Sequence, residues 1–156
     1  MANSRFFIRY QTALDRRMFR LERKYRAKIY KELQRQRDEL IETGTFISRF
    51  EPIFRDIYGV DGLTVGTSQY NLLDGLKTSK SVSDFFSTAW RVWMDVFVKT
   101  RMAQKIVAID TTTREAVQEV LRNNVGVPFN QIVDQLKMFD RQRAMRIART
   151  EVAQMA

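Results

Sequence analysis

The run Thr111-Thr112-Thr113-Arg114-Glu115 sets hydroxyls beside a carboxylate, the raw material of an activated nucleophile. The same residues fit a helix start. Thr112 and Glu115 have the Thr-x-x-Glu spacing of a capping box, and Asp110 precedes them. The capping box is the favoured expectation. The chain holds 0 His and 0 Cys, which removes Ser-His-Asp and Cys-His nucleophiles, His-ligated zinc and disulfides. Glu115 and Glu119 lie one helical turn apart, as do Glu32 and Gln36, but neither pair has a third ligand at a metal-site spacing. Gly59, Gly62 and Gly66 do not form a phosphate-binding loop, because no Gly-Lys-Ser/Thr follows and no strand precedes. The expectation is a chain that is not an enzyme, with no catalytic residue, metal or cofactor.

Two other groups of residues point to binding. Arg143, Arg146 and Arg149 recur at steps of three, which on a helix makes one cationic ridge, with Arg141 just before it. Three partners fit that ridge: phosphates, an acidic protein surface, or the neighbouring Asp140 and Glu151. No base-reading motif accompanies it, so phosphate contact would be independent of nucleotide sequence. The second group is aromatic. Phe86, Trp90, Trp93 and Phe97 fall on one helical stripe, with Phe85, Ala89 and Val96 beside it. This stripe reads as core, or alternatively as a docking surface for another subunit.

Helices must carry both groups. Phe7, Tyr10, Leu14, Met18, Leu21, Tyr25, Ile29 and Leu33 recur every three or four residues, predicting a long first helix from an N-cap at Ser4 to a stop at Gly44. Its basic excess lies between Arg16 and Lys31. Arg16, Arg20 and Arg23 are candidate partner contacts there. Thr45 to Tyr58 forms a second, shorter candidate that starts near Glu51 or kinks at Pro52. Residues 59–83, rich in Gly, Ser and Thr, predict a flexible connection. Ser83 then caps a third helix, Pro128 and Phe129 open another, and Asp140 is an N-cap candidate for the last. Strand signals are few. The expected fold is all-α: a basic helical arm over 1–58, the connection over 59–83, and a helical bundle over 84–156.

With 44% hydrophobic residues the chain has enough apolar mass for a core. A net charge of +9 speaks about partners: nucleic acid, an anionic membrane or an acidic protein. The opening Met1-Ala-Asn-Ser-Arg lacks the apolar stretch of a secretory leader. Charges interrupt the most apolar segment, Phe85 to Ile109, so a membrane span is not expected.

The order of three segments in the last third is informative: Ile109 to Glu115, then Gly126-Val-Pro-Phe-Asn-Gln-Ile132, then Arg143 to Val152 with Ala-Arg-Thr-Glu inside it. Over residues 106–156 this order resembles the Mu F-like minor head proteins of tailed bacteriophages, also called head morphogenesis proteins. By that resemblance Thr112, Arg143, Arg149, Thr150 and Glu151 are the signature positions. Members of the family continue beyond the Arg-Thr-Glu helix into a strand-rich part, and activities of that part are not carried over to residues 1–156. The resemblance implies a minor capsid component that docks on the portal protein or the capsid interior, oligomeric on the portal. It implies contact with the major capsid protein and packaged double-stranded DNA, a place inside the head near the portal vertex, and assembly in the host cytoplasm. Under it, Trp90, Trp93, Phe97, Arg16, Arg20 and Arg23 are partner-binding candidates, and Arg143, Arg146 and Arg149 contact nucleic acid or an acidic partner. The alternative function is a nonspecific DNA-binding protein acting through its basic helices.

Overall fold

The computed structural model describes the backbone of residues 2–73 and 80–155, with side chains over 8–9, 11–67 and 88–155. Among the described residues the fold is all-α. Helix α1 spans Ala2–Thr43, α2 Phe50–Arg55, α3 Gly62–Leu73, α4 Lys80–Phe97, α5 Ala103–Asn123 and α6 Phe129–Met155. A π-helical turn at Asp56–Asp61 joins α2 to α3 without a break, and a second at Val98–Met102 joins α4 to α5. The described residues thus form four continuous rods.

α1 is 42 residues long, about 63 Å at 1.5 Å per residue. It starts at Ala2, so Ser4 lies inside the helix and not at its cap. It stops where the periodicity places the stop. Gly44 takes φ +76°, which only glycine adopts freely, and its N–H donates to the Leu40 carbonyl at 3.0 Å. Pro52 falls in the first turn of α2, where no helical N–H is required, so nothing kinks.

α1 and α6 run antiparallel and form the most extensive helix pairing. Tyr25, Ile29 and Leu33 on α1 are fully buried, as are Ala144 and Ala148 on α6. The two alanines have nothing beyond Cβ, so the helix axes approach closely. Phe50, Phe54, Ile57 and Tyr58 fill the same core with Val65, Met94, Phe97, Met102, Val152 and Met155. A smaller cluster of Leu40, Phe46, Val117, Ile132 and Leu136 closes the other end. Burial of each large apolar side chain contributes about 1.5–3 kcal/mol. The periodic α1 residues from Leu21 onward therefore face the chain's own core, and the first helix is no separate arm.

The expected connection over 59–83 is also corrected. Residues 59–73 are helical, and so are 80–83; α4 begins at Lys80, ahead of the proposed cap Ser83. Gly62 serves close packing and not a turn. A Cβ at Gly62 would meet Met155 Cγ at 3.0 Å and Trp90 Cζ2 at 3.1 Å. Residues 74–79 lie outside the described residues, as do the side chains of Phe7, Tyr10, Phe85 and Phe86.

Asp140 does not cap a final helix, because α6 runs unbroken through it. Its carboxylate accepts a hydrogen bond from Arg37 Nη1 on α1 at 2.7 Å, with both side chains almost fully buried (3% and 4% exposed). A buried pair of this kind is costly to break from one side and dispensable when replaced whole. Arg37→Met is expected to destabilise the protein by about 3–5 kcal/mol in urea unfolding, whereas Arg37→Met with Asp140→Leu is expected to recover most of that loss. Equal destabilisation in both variants would show that the site needs the ion pair itself.

Candidate functional site

The threonine run lies in the middle of α5, not at a helix start. Thr112 Oγ1 donates to the Ala108 carbonyl at 2.9 Å, and Thr113 Oγ1 to the Ile109 carbonyl at 2.9 Å. Hydroxyls that bond back into their own helix need no cap, and the capping box is therefore not formed. The π turn at 98–102 carries α4 into α5 and removes the need for a new start near Asp110.

Arg143 does not stand on a cationic ridge with Arg146 and Arg149. It is buried, with Nη1 donating to Thr113 Oγ1 at 2.8 Å and Nη2 to the Ile109 carbonyl at 3.1 Å. Burial pulls its basicity down, and nearby Asp140 partly restores it. Arg143 thus ties α6 to α5, and it lines an open pocket on the side of Arg146. Arg146 and Arg149 are exposed, and Arg149 pairs with Glu22 on α1 at 3.4 Å. Thr150 is exposed, and Glu151 is buried.

Glu151 anchors a second polar knot. Its carboxylate accepts the Tyr58 hydroxyl and pairs with Lys105 Nζ at 2.8 Å. Burial, then the carboxylate bond, pushes the Tyr58 phenol well above its usual range. A third knot surrounds Glu32, whose carboxylate accepts Arg35 Nη2 at 2.6 Å, the Arg49 backbone N–H at 2.8 Å and Gln36 Nε2 at 3.1 Å. The same Gln36 nitrogen donates to Asp110 at 3.0 Å. Burial raises the Asp110 carboxyl above the ordinary carboxylate range, against the bonds from Ser48 and Gln36. These knots hold helices together. No group of three metal-ligating side chains occurs among the described residues.

The aromatic stripe divides between core and surface. Phe97 is buried and meets Tyr58 at 4.7 Å between ring centroids. Trp90 is half-buried, and its Nε1 donates to the Tyr58 carbonyl at 3.0 Å. Trp93 stacks one face on Phe97 at 4.8 Å and remains 45% exposed. Val92 and Val96 flank it at 64% and 60% exposure. Val92 was not legible as a surface residue from the sequence, because the stripe's apolar run hides which side meets the core.

Arg16, Arg20 and Arg23 are largely exposed along α1. Sequence reasoning missed their tertiary neighbours. Arg23 and Arg26 on α1 share a groove of about 590 Å³ with Tyr30 and with Arg141 from α6. Nothing in a linear reading joins residues so far apart. No helix among the described residues is long and apolar enough to cross a membrane.

Comparison with protein-family models, with curated proteins and with solved structures returned no match.

Asp140 gives this network a pH signature. Burial raises its carboxyl from 3.8 to about 6, against the pull of Arg37 and Arg143. A folded value above the unfolded one means that protonation favours the native state. That contribution is full below pH 3.8 and is lost as pH rises through about 6. The stability of the native sequence relative to Asp140→Asn is expected to fall by up to about 3 kcal/mol across that window and to flatten above it. Unfolding titrations of both proteins at several pH values check this, and a constant difference between them would contradict it.

Proposed function

We propose that this chain is a minor head component of a tailed bacteriophage. It docks on the portal protein, or on the capsid interior, and aids head assembly and DNA packaging or delivery. The order of segments over residues 106–156 supplies the family resemblance, and the exposed face of α4 supplies the means. One observation carries the docking reading. Trp93, Val92 and Val96 form an apolar patch open to solvent on a helix whose other side is locked into the core by Phe97 and Met94. A rigid helix presenting a stacked tryptophan is a suitable anchor, because little side-chain freedom is lost when it is covered.

Phe97 acts in this reading as the support that holds Trp93 in place, and Trp90 as the strut that ties the helix to Tyr58. The buried signature residues Arg143 and Glu151 act as internal ties that set the position of α6. They do not touch the partner. The protein works near the portal vertex inside the head, in several copies, with the major capsid protein as a further neighbour.

Co-expression with a portal protein from the same genomic neighbourhood, followed by affinity capture at low and high salt, tests this. Capture is expected to survive high salt, because apolar contact is little screened. Trp93→Ala is expected to weaken it by about thirtyfold or more, in keeping with a buried aromatic anchor. Val92→Glu, at a largely exposed position, is expected to abolish it while changing thermal stability little. Capture unaffected by both substitutions, or seen only at low salt, would sink docking through α4.

A further inference from the structure

The groove between α1 and α6 gathers charges that the rest of the fold does not neutralise. Arg23, Arg26 and Arg141 line it, with Ala27 and Ala144 between them and the Tyr30 ring at one side. Arg141 lies over that ring, its guanidinium carbon 5.9 Å from the centroid. Several other cations on α1 are paired: Lys24 with Asp61, Lys28 with Asp56, Arg35 with Glu32, Arg37 with Asp140. Among the described residues no carboxylate pairs with Arg23, Arg26 or Arg141. Three guanidinium groups therefore converge from two helices on one solvent-open trough.

We propose that this groove binds the phosphodiester backbone of nucleic acid, with Arg23, Arg26 and Arg141 as the contacting residues. The site stands independently of docking through α4, which lies on a different helix. Three features favour a phosphate chain over an acidic protein. The cations are all arginine, whose planar fork suits phosphate oxygens in pairs and tolerates an apolar, partly desolvated floor. They continue along α1 as exposed Arg20 and Arg16, a row about 15 Å long at helical rise. A uniformly charged polymer meets every member of such a row, whereas an acidic protein must place a carboxylate opposite each one. The neighbours of the three arginines in the groove are alanine, methionine, glutamine and a tyrosine ring, so no acidic side chain repels the backbone there. Recognition would be independent of sequence, because no side chain here is arranged to read a base edge.

The experiment measures binding of a labelled short DNA duplex to the full chain across a salt series. The native protein is expected to bind at low salt, with log affinity falling against log salt by about 0.9 per phosphate contact. Arg26→Gln with Arg141→Gln is expected to lower affinity at least tenfold and to make the slope shallower by roughly two contacts. Arg23→Gln with Arg141→Gln serves as a second groove variant, and circular dichroism checks the helix content of both. Arg101→Gln with Arg122→Gln removes the same charge from exposed positions on the π turn and α5, and is expected to change affinity less than twofold. An equal loss in that control would overturn the groove as a site and leave only net charge. Competition by polyglutamate as effective as by unlabelled duplex would overturn the phosphate assignment in favour of an acidic protein. Absence of binding at low salt would overturn the proposal outright.

Discussion

The antiparallel contact between α1 and α6 is the constraint on which the other arrangements rest. Ala144 and Ala148 let α6 lie close against Tyr25, Ile29 and Leu33, and every polar tie then falls at a fixed height along the seam. Arg37 meets Asp140 at one end, and Glu22 meets Arg149 at the other. A larger residue at either alanine would part the helices. The groove between Arg26 and Arg141 would change with them, and so would the reach of Arg143 to Thr113.

Buried polar groups act here as locators more than as sources of stability. Arg143 satisfies the Thr113 hydroxyl and the Ile109 carbonyl, and Glu151 gathers Tyr58 and Lys105. In an all-helical core built from Phe, Ile, Leu and Ala, many sliding arrangements bury similar apolar area. A guanidinium that must meet one hydroxyl accepts few of them, since leaving it unpaired costs more than the bond contributes. The two π turns work in the same direction. Each widens its helical turn without breaking the rod, and Tyr58 and Met102, which lie within them, are buried.

Two of the surfaces formed by the described residues differ in physics. The Trp93 patch on α4 is apolar, and contact made through it would be little screened by salt. The arginine trough on α1 and α6 is charged, and its attraction reaches only about a Debye length. They lie on separate elements, so a large partner on one need not displace a polymer on the other.

Periodicity determined the helical class, the inward face of α1 from Leu21 to Leu33 and the stop at Gly44, because those depend on neighbours three or four residues away. Composition determined the basic surface. Local signals failed where tertiary packing overrode them. Gly62 looked like part of a flexible connection and is a packing residue, Thr112 and Asp140 looked like caps and lie inside helices, and Ser4 and Ser83 do the same. Arg143, Arg146 and Arg149 share a ridge by spacing, yet burial takes Arg143 out of it. The pairing of Arg37 with Asp140 and of Tyr58 with Glu151, and the placing of Arg26 and Arg141 in one groove, were decided only by the fold. Each joins residues that no helical repeat connects, and burial, unlike periodicity, is a property of the whole chain.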